Sequence, residues 1–217
     1  GEIAVYIADY YRTNYLLYIC LVFIALIILI GRGKGLKAVI SLTITLLSII
    51  YILLPLMLKG VNPIPISILI SVLVTIFTIF MVSGINSKSL SAIIGTSVGV
   101  IIAGLIAYYV GNKANLTGLS AEEATMLMYI PQDVIFNFKN LLFAGIILGA
   151  LGAAMDVGIS IASSIDEIHN ANDKLTRKEL FKSGMNVGRD VMGTMTNTLI
   201  LAYTGSSIPL LLLFMAY

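Results

Sequence analysis

The length of its nearly uncharged apolar runs constrains this chain more than anything else in it. A helix rises ~1.5 Å per residue and the hydrocarbon core of a bilayer is ~30 Å thick, so about 20 such residues in succession cross a membrane. Tyr15–Ile30, Ala38–Leu58, Ile66–Val82, Leu90–Val110 and Leu141–Ile165 read as spans, and a sixth runs from about Val187 to Thr204. Ile208–Tyr217 is too short to cross and reads as the start of a seventh, so the chain is expected to be a piece of a longer protein. Backbone groups in lipid must be satisfied within the segment, which favours helices. The expected fold is all-α, a polytopic transmembrane helix bundle of six complete spans plus the start of a seventh. Residues 15–217 form its transmembrane domain, and residues 1–14 form a membrane-proximal extracytoplasmic segment.

Composition agrees and excludes other classes. Of 217 residues, 59% are hydrophobic and 11% charged, against roughly a quarter charged in a soluble domain. The formal net charge of +2 offers no basic excess for a phosphate backbone, so nucleic acid is not an expected partner. Cys20 and His169 are the sole cysteine and histidine, too few soft ligands for a structural zinc site.

The turns carry the orientation signal. Arg32, Lys34, Lys37, Lys88, Lys174, Arg177, Lys178, Lys182 and Arg189 fall on one side of the span order, and Arg12, Lys59, Lys113 and Lys139 on the other. That asymmetry predicts a cytoplasmic location for the first set, in a bacterial cell membrane, with the N-terminal segment outside. Tyr10, Tyr11, Tyr15 and Tyr18 are placed as an interfacial aromatic belt would be.

Two loops are expected to hold short amphipathic helices. Ser120-Ala121-Glu122-Glu123 and Thr176-Arg177-Lys178-Glu179 both have the capping-box pattern, with Leu175 and Leu180 flanking the second as a hydrophobic staple. Residues 174–186 should then lie along the cytoplasmic membrane face on Leu180, Phe181 and Met185.

Asp156 is the most informative position, being the sole ionisable side chain far from a membrane surface. A carboxylate at the bilayer centre costs about 3 kcal/mol on insertion scales, so the residue is expected to face the bundle interior, where it is a candidate proton carrier. Asp190, Thr194 and Asn197 share one face of the sixth span at i, i+4, i+7 and are the expected supporting polar face. Gly145, Gly149 and Gly152 align with Asp156 and are expected to mark a helix contact, as are Gly95, Gly99 and Ala103.

No catalytic residue is expected. Gly95-Thr96-Ser97-Val98-Gly99 matches G-x-S-x-G literally, but a nucleophile elbow needs a strand, a sharp turn and a helix. An intramembrane aspartyl protease needs a second acid at the depth of Asp156, and Asp190 is close to the surface.

The runs Gly152–Ser164 and Ser183–Tyr203, with Asp9-Tyr10-Tyr11-Arg12, Asn62-Pro63-Ile64, Tyr129-Ile130-Pro131-Gln132 and Asn137-Phe138-Lys139, strongly resemble the YibE/F-like family of bacterial multi-pass membrane proteins. The resemblance covers essentially the whole chain and implies a preceding N-terminal helix and extracytoplasmic domain, with further spans beyond residue 217. It carries no settled biochemical activity. More distantly, the order of elements in Ile66–Thr204 is similar to the membrane domain of SecD, SecF and resistance-nodulation-division transporters. That likeness implies proton coupling through Asp156. The expected function is thus a proton-coupled transporter or export component; the alternative is a noncatalytic membrane scaffold or assembly partner. Neither is an enzyme or needs a cofactor or metal. The expected partners are the lipid bilayer and either other membrane subunits or a second copy of the chain.

Overall fold

The computed structural model describes residues 13–119, 122–127, 129 and 137–216. The described residues are helical nearly throughout: α1 (Thr13–Ser48), a π-helical turn (Ile49–Leu53), α2 (Leu54–Leu58), α3 (Pro63–Ser83), α4 (Ser87–Lys113), α5 (Glu122–Leu127), α6 (Phe138–Ala171), α7 (Arg177–Ser206) and α8 (Ile208–Ala216). Short polar side chains set the starts. Asn62, Asn86 and Asn137 each accept a backbone N–H from the first turn of α3, α4 and α6, which satisfies a donor the helix itself cannot pair. Gly84, at φ 79°, ends α3 in a conformation that a Cβ would strain.

At the start of α7, Thr176 and Glu179 form the expected capping box in both directions. Glu179 accepts from the Thr176 hydroxyl at 2.7 Å and from its backbone N–H at 2.8 Å. Those bonds, the side-chain one foremost, hold the Glu179 carboxyl below its ordinary value of 4.5. A lowered carboxyl contributes stability above its unfolded value and loses it as pH falls through the folded one. The protection factors of the amides over residues 177–182, measured against the intrinsic exchange rate at each pH, should therefore fall on acidification below pH ~4.5 in wild type but change little in Thr176→Ala. The other expected capping box, at Ser120–Glu123, rests on positions outside the described residues.

The span count differs from the sequence expectation. Four helices are long and apolar enough to cross a membrane, or five if α7 and α8, which meet at 63°, form one bent span. A count by helix length and composition falls short of six complete spans plus the start of a seventh for two reasons. Asn14–Leu58 is one helical run of 45 residues, broken at Arg32 (φ 48°, ψ −130°) instead of ended by a loop. Then α7 is continuous from Arg177 to Ser206, so the separate amphipathic helix expected at 174–186 is its first turns. No proline interrupts α7, and Gly184 and Gly188 serve close packing in it: an added Cβ would meet Ile165 or Ile161.

The break at Arg32 is sharp. Gly35 is buried against the Ile27 carbonyl, eight residues back, whereas two such residues on a straight helix lie ~12 Å apart. The chain therefore doubles back through Gly31-Arg32-Gly33, the turn that the glycines and basic residues predict.

The core is built from α3, α4 and α6, with α1 and α7 on either flank. Leu53, Met57, Ile70, Val74, Val100, Ala144, Ile147 and Leu151 form its main cluster. Two cross-helix bonds join it: Ser41 Oγ donates to Thr78 Oγ1 at 2.8 Å, and Thr96 Oγ1 to the Ala154 carbonyl at 3.3 Å. Lys88 pairs with Asp166 at 3.4 Å, which sets the α3–α4 and α6–α7 turns at one end of the bundle. Asn140 Nδ2 donates to Asn62 Oδ1 at 3.5 Å and sets the 59–62 turn at the other.

Candidate functional site

Periodicity decides which way each face of α6 points. Leu151, Ala154, Gly158, Ile161 and Ile165 lie toward α3, α4 or α7: Thr96 bonds the Ala154 carbonyl, and a Cβ on Gly158 would overlap Thr96 Oγ1. Asp156 is two residues from both Ala154 and Gly158, ~200° round the helix. It is exposed, on the outer face of the bundle. It makes no hydrogen bond or ion pair among the described residues. The expectation that Asp156 faces the packed interior is corrected: the interior of this bundle is lined by the opposite face.

Asp190, Thr194 and Asn197 share a face of α7, as their spacing predicts, but it too is exposed and turned away from α6. The packed face carries Gly184, Gly188, Met192 and Met195, with Asp190 two residues from both Gly188 and Met192. The Thr194 hydroxyl donates within its own helix, to the carbonyls of Asp190 and Val191 at 3.2 and 3.0 Å. Asp156 and this polar face are therefore not brought together.

The glycine stripes divide the same way. No described atom lies within 4 Å of a Cβ built on Gly145, Gly149 or Gly152, so this stripe makes no contact among the described residues, contrary to expectation. Gly95 is likewise open, whereas Gly99 touches Ala154 at 4.0 Å. The close approaches are made at Gly104 against Ile147, Gly111 against the Phe143 ring, and Gly158, Gly184 and Gly188. The sequence signal for these was the same small-residue spacing, Gly184-x-x-x-Gly188 included. It marks a flat face without saying which helix meets it.

Between α4, α6 and α7 lies an open cleft of about 670 Å³, lined by Gly95, Gly99, Gly158 and Gly188 and by apolar side chains, with Thr196 toward one wall. Asp156 is not among its walls. Among the described residues the hydroxyls of Ser67, Ser71 and Ser97 are buried without a hydrogen-bond partner, and sequence reading did not single them out. Among the described residues no three His, Cys, Asp or Glu side chains gather as metal ligands would.

An all-helical bundle of apolar helices with spanning length and a carboxyl at mid-helix defines a multi-pass membrane protein. The model of the family described as YibE/F-like protein matches residues 19–217, and the chain belongs to that family. Neither the curated proteins nor the solved structures contain a match to it.

Proposed function

We propose that this chain is a noncatalytic component of a membrane assembly, in which the outer face of α6 is closed by the same face of a second copy. The observation that carries this reading is Asp156, exposed midway along a spanning helix and bonded to nothing among the described residues. A carboxylate there costs about 3 kcal/mol or more against lipid, and protein contact offsets it. The Gly145-x-x-x-Gly149 spacing on the same face lets a second backbone approach closely. Two Asp156 side chains then meet at one depth, each shielded from lipid by the other protomer.

The test replaces Cys20 with serine and Gly149 with cysteine and oxidises native membranes. A disulfide-linked dimer is the expected product. Monomers alone, together with a monomeric size in mild detergent, would reject the reading. The second reading, proton-coupled transport or export, is favoured by an Asp156 that no bond among the described residues ties down. Proton flux in proteoliposomes separates the two: equal flux in wild type and Asp156→Asn supports assembly alone, and lost flux with intact dimers puts transport first.

In this reading the two arms of Asn14–Leu58 cross separately, because a straight helix of 45 residues would be ~68 Å long, over twice the hydrocarbon thickness. The end bearing Lys34, Lys88 and Lys178 then lies in the bacterial cytoplasm and residues 1–14 outside. Cysteines at 34, 88 and 178 should label from the inside, and those at 59 and 113 from the outside. Outside labelling at 88 would reverse the orientation.

A further inference from the structure

The geometry points to a binding site for one anionic phospholipid at the junction of α6 and α7, with its phosphate among Lys178, Lys182 and Arg189 and one acyl chain in the cleft between α4, α6 and α7. The cations come first. Lys178, Lys182, Met185 and Arg189 follow one another at intervals of four, three and four residues, so they share a single face of α7. Phe181 lies beside them, 69% exposed, and Met185 is 45% exposed, so the cationic stripe is floored by apolar surface. Together with Asn186 these residues wall a groove of about 690 Å³. Glu179 also borders it, but its carboxylate is turned onto Thr176 in the capping box. Three cations thus face the groove against one carboxylate already engaged.

The groove changes character along α7. A second hollow, of about 300 Å³, shares Phe181, Met185 and Arg189 with the first and adds Gly188, Met192 and Ile165. The cleft between α4, α6 and α7 in turn shares Gly188, Met192 and Ile165 with the second and runs on to Met195 and Leu199. A cationic mouth therefore passes into a wall of glycine, isoleucine and methionine without a charged side chain below Arg189. From Arg189 to Leu199 is ten residues, ~15 Å of helix, which is half the ~30 Å hydrocarbon thickness and so the depth of one leaflet. The cleft volume of about 670 Å³ falls in the ~300–1,000 Å³ range of small-ligand sites. Phosphate alone would satisfy the mouth and leave the apolar track empty; a zwitterionic lipid would fill the track without net charge to match the mouth. An anionic phospholipid satisfies both.

The experiment uses the full chain in phosphatidylcholine vesicles carrying a trace of spin-labelled phosphatidylglycerol or spin-labelled phosphatidylcholine, and reads the motionally restricted fraction of each. Wild type should prefer phosphatidylglycerol. The double variant Lys182→Gln, Arg189→Gln should lose that preference, on the order of thirtyfold in relative association for two cations removed. Gly95→Leu, at a position with no atom within 4 Å of its Cβ, should fill the cleft and weaken long-chain phosphatidylglycerol while sparing a six-carbon-chain analogue. Equal restriction of the two labelled lipids in wild type would overturn the site. So would full displacement of phosphatidylglycerol by inorganic phosphate at matched ionic strength, or an undiminished preference in both variants when circular dichroism shows them folded.

Discussion

Replacing Phe143 with alanine should destabilise the bundle by about 3–5 kcal/mol, the range for deleting a fully buried aromatic side chain. Phe143 is 1% exposed, near the start of α6. Its ring meets Tyr108 edge-on, with centroids 5.7 Å apart and planes at 67°, a geometry worth about 0.5–1.5 kcal/mol beyond the area it buries. It lies in the notch left by Gly111 of α4, where an added Cβ would overlap the ring. That notch enlarges the void left by truncation, because Gly111 itself has no side chain to fill it. In a bilayer the loss is of packing more than of hydration, since lipid is as apolar as the core. Reversible unfolding in bicelles, wild type beside Phe143→Ala, measures it. A difference below about 1 kcal/mol would show that the site collapses or that Phe143 packs elsewhere.

Much of the helix layout is legible in the sequence because it is set locally. Asn62-Pro63, Asn86, Asn137 and Thr176 each start a helix where a short polar side chain can take an orphan N–H, and the structure puts caps at all four. Gly31-Arg32-Gly33 marks a reversal, and the backbone breaks there. The start of a separate helix ahead of Val187 was not legible correctly. A change from polar to apolar composition marks the level of the membrane surface, and a helix passes through that level unbroken when nothing in its backbone stops it.

Which face of a helix is inside was the harder question. In α6 the apolar residues run nearly all round, so hydrophobicity distinguishes no face and small residues decide. Gly145, Gly149 and Gly152 resemble Gly158, Gly184 and Gly188 in the sequence, yet the first three are open and the last three are in contact. Asp156 followed the open set outward. The rule that an intramembrane carboxyl faces protein does not say whose protein, and within this chain the inward positions are taken by Ala154 and Gly158, which let α4 approach where a carboxyl would hold it off.

That approach is tested at Gly158 and Thr96, where two small changes should fail to add. A Cβ on Gly158 would overlap Thr96 Oγ1 but lies 3.7 Å from Thr96 Cβ and 3.5 Å from the Ala92 carbonyl, both ordinary contacts. The single variant Gly158→Ala therefore has to displace the hydroxyl that bonds the Ala154 carbonyl, and should cost about 1–3 kcal/mol as overpacking does. Thr96→Ala alone removes that one cross-helix bond, worth ~0.6 kcal/mol on average in a membrane. With the hydroxyl gone, the new methyl group has room, so the double variant should be no worse than Thr96→Ala by more than a few tenths of a kcal/mol. Unfolding of the four proteins in the same bicelles gives the coupling directly. Additive losses would mean that Gly158 is constrained by the α4 backbone instead of by the Thr96 hydroxyl, and that the α4–α6 contact is closer than a single oxygen decides.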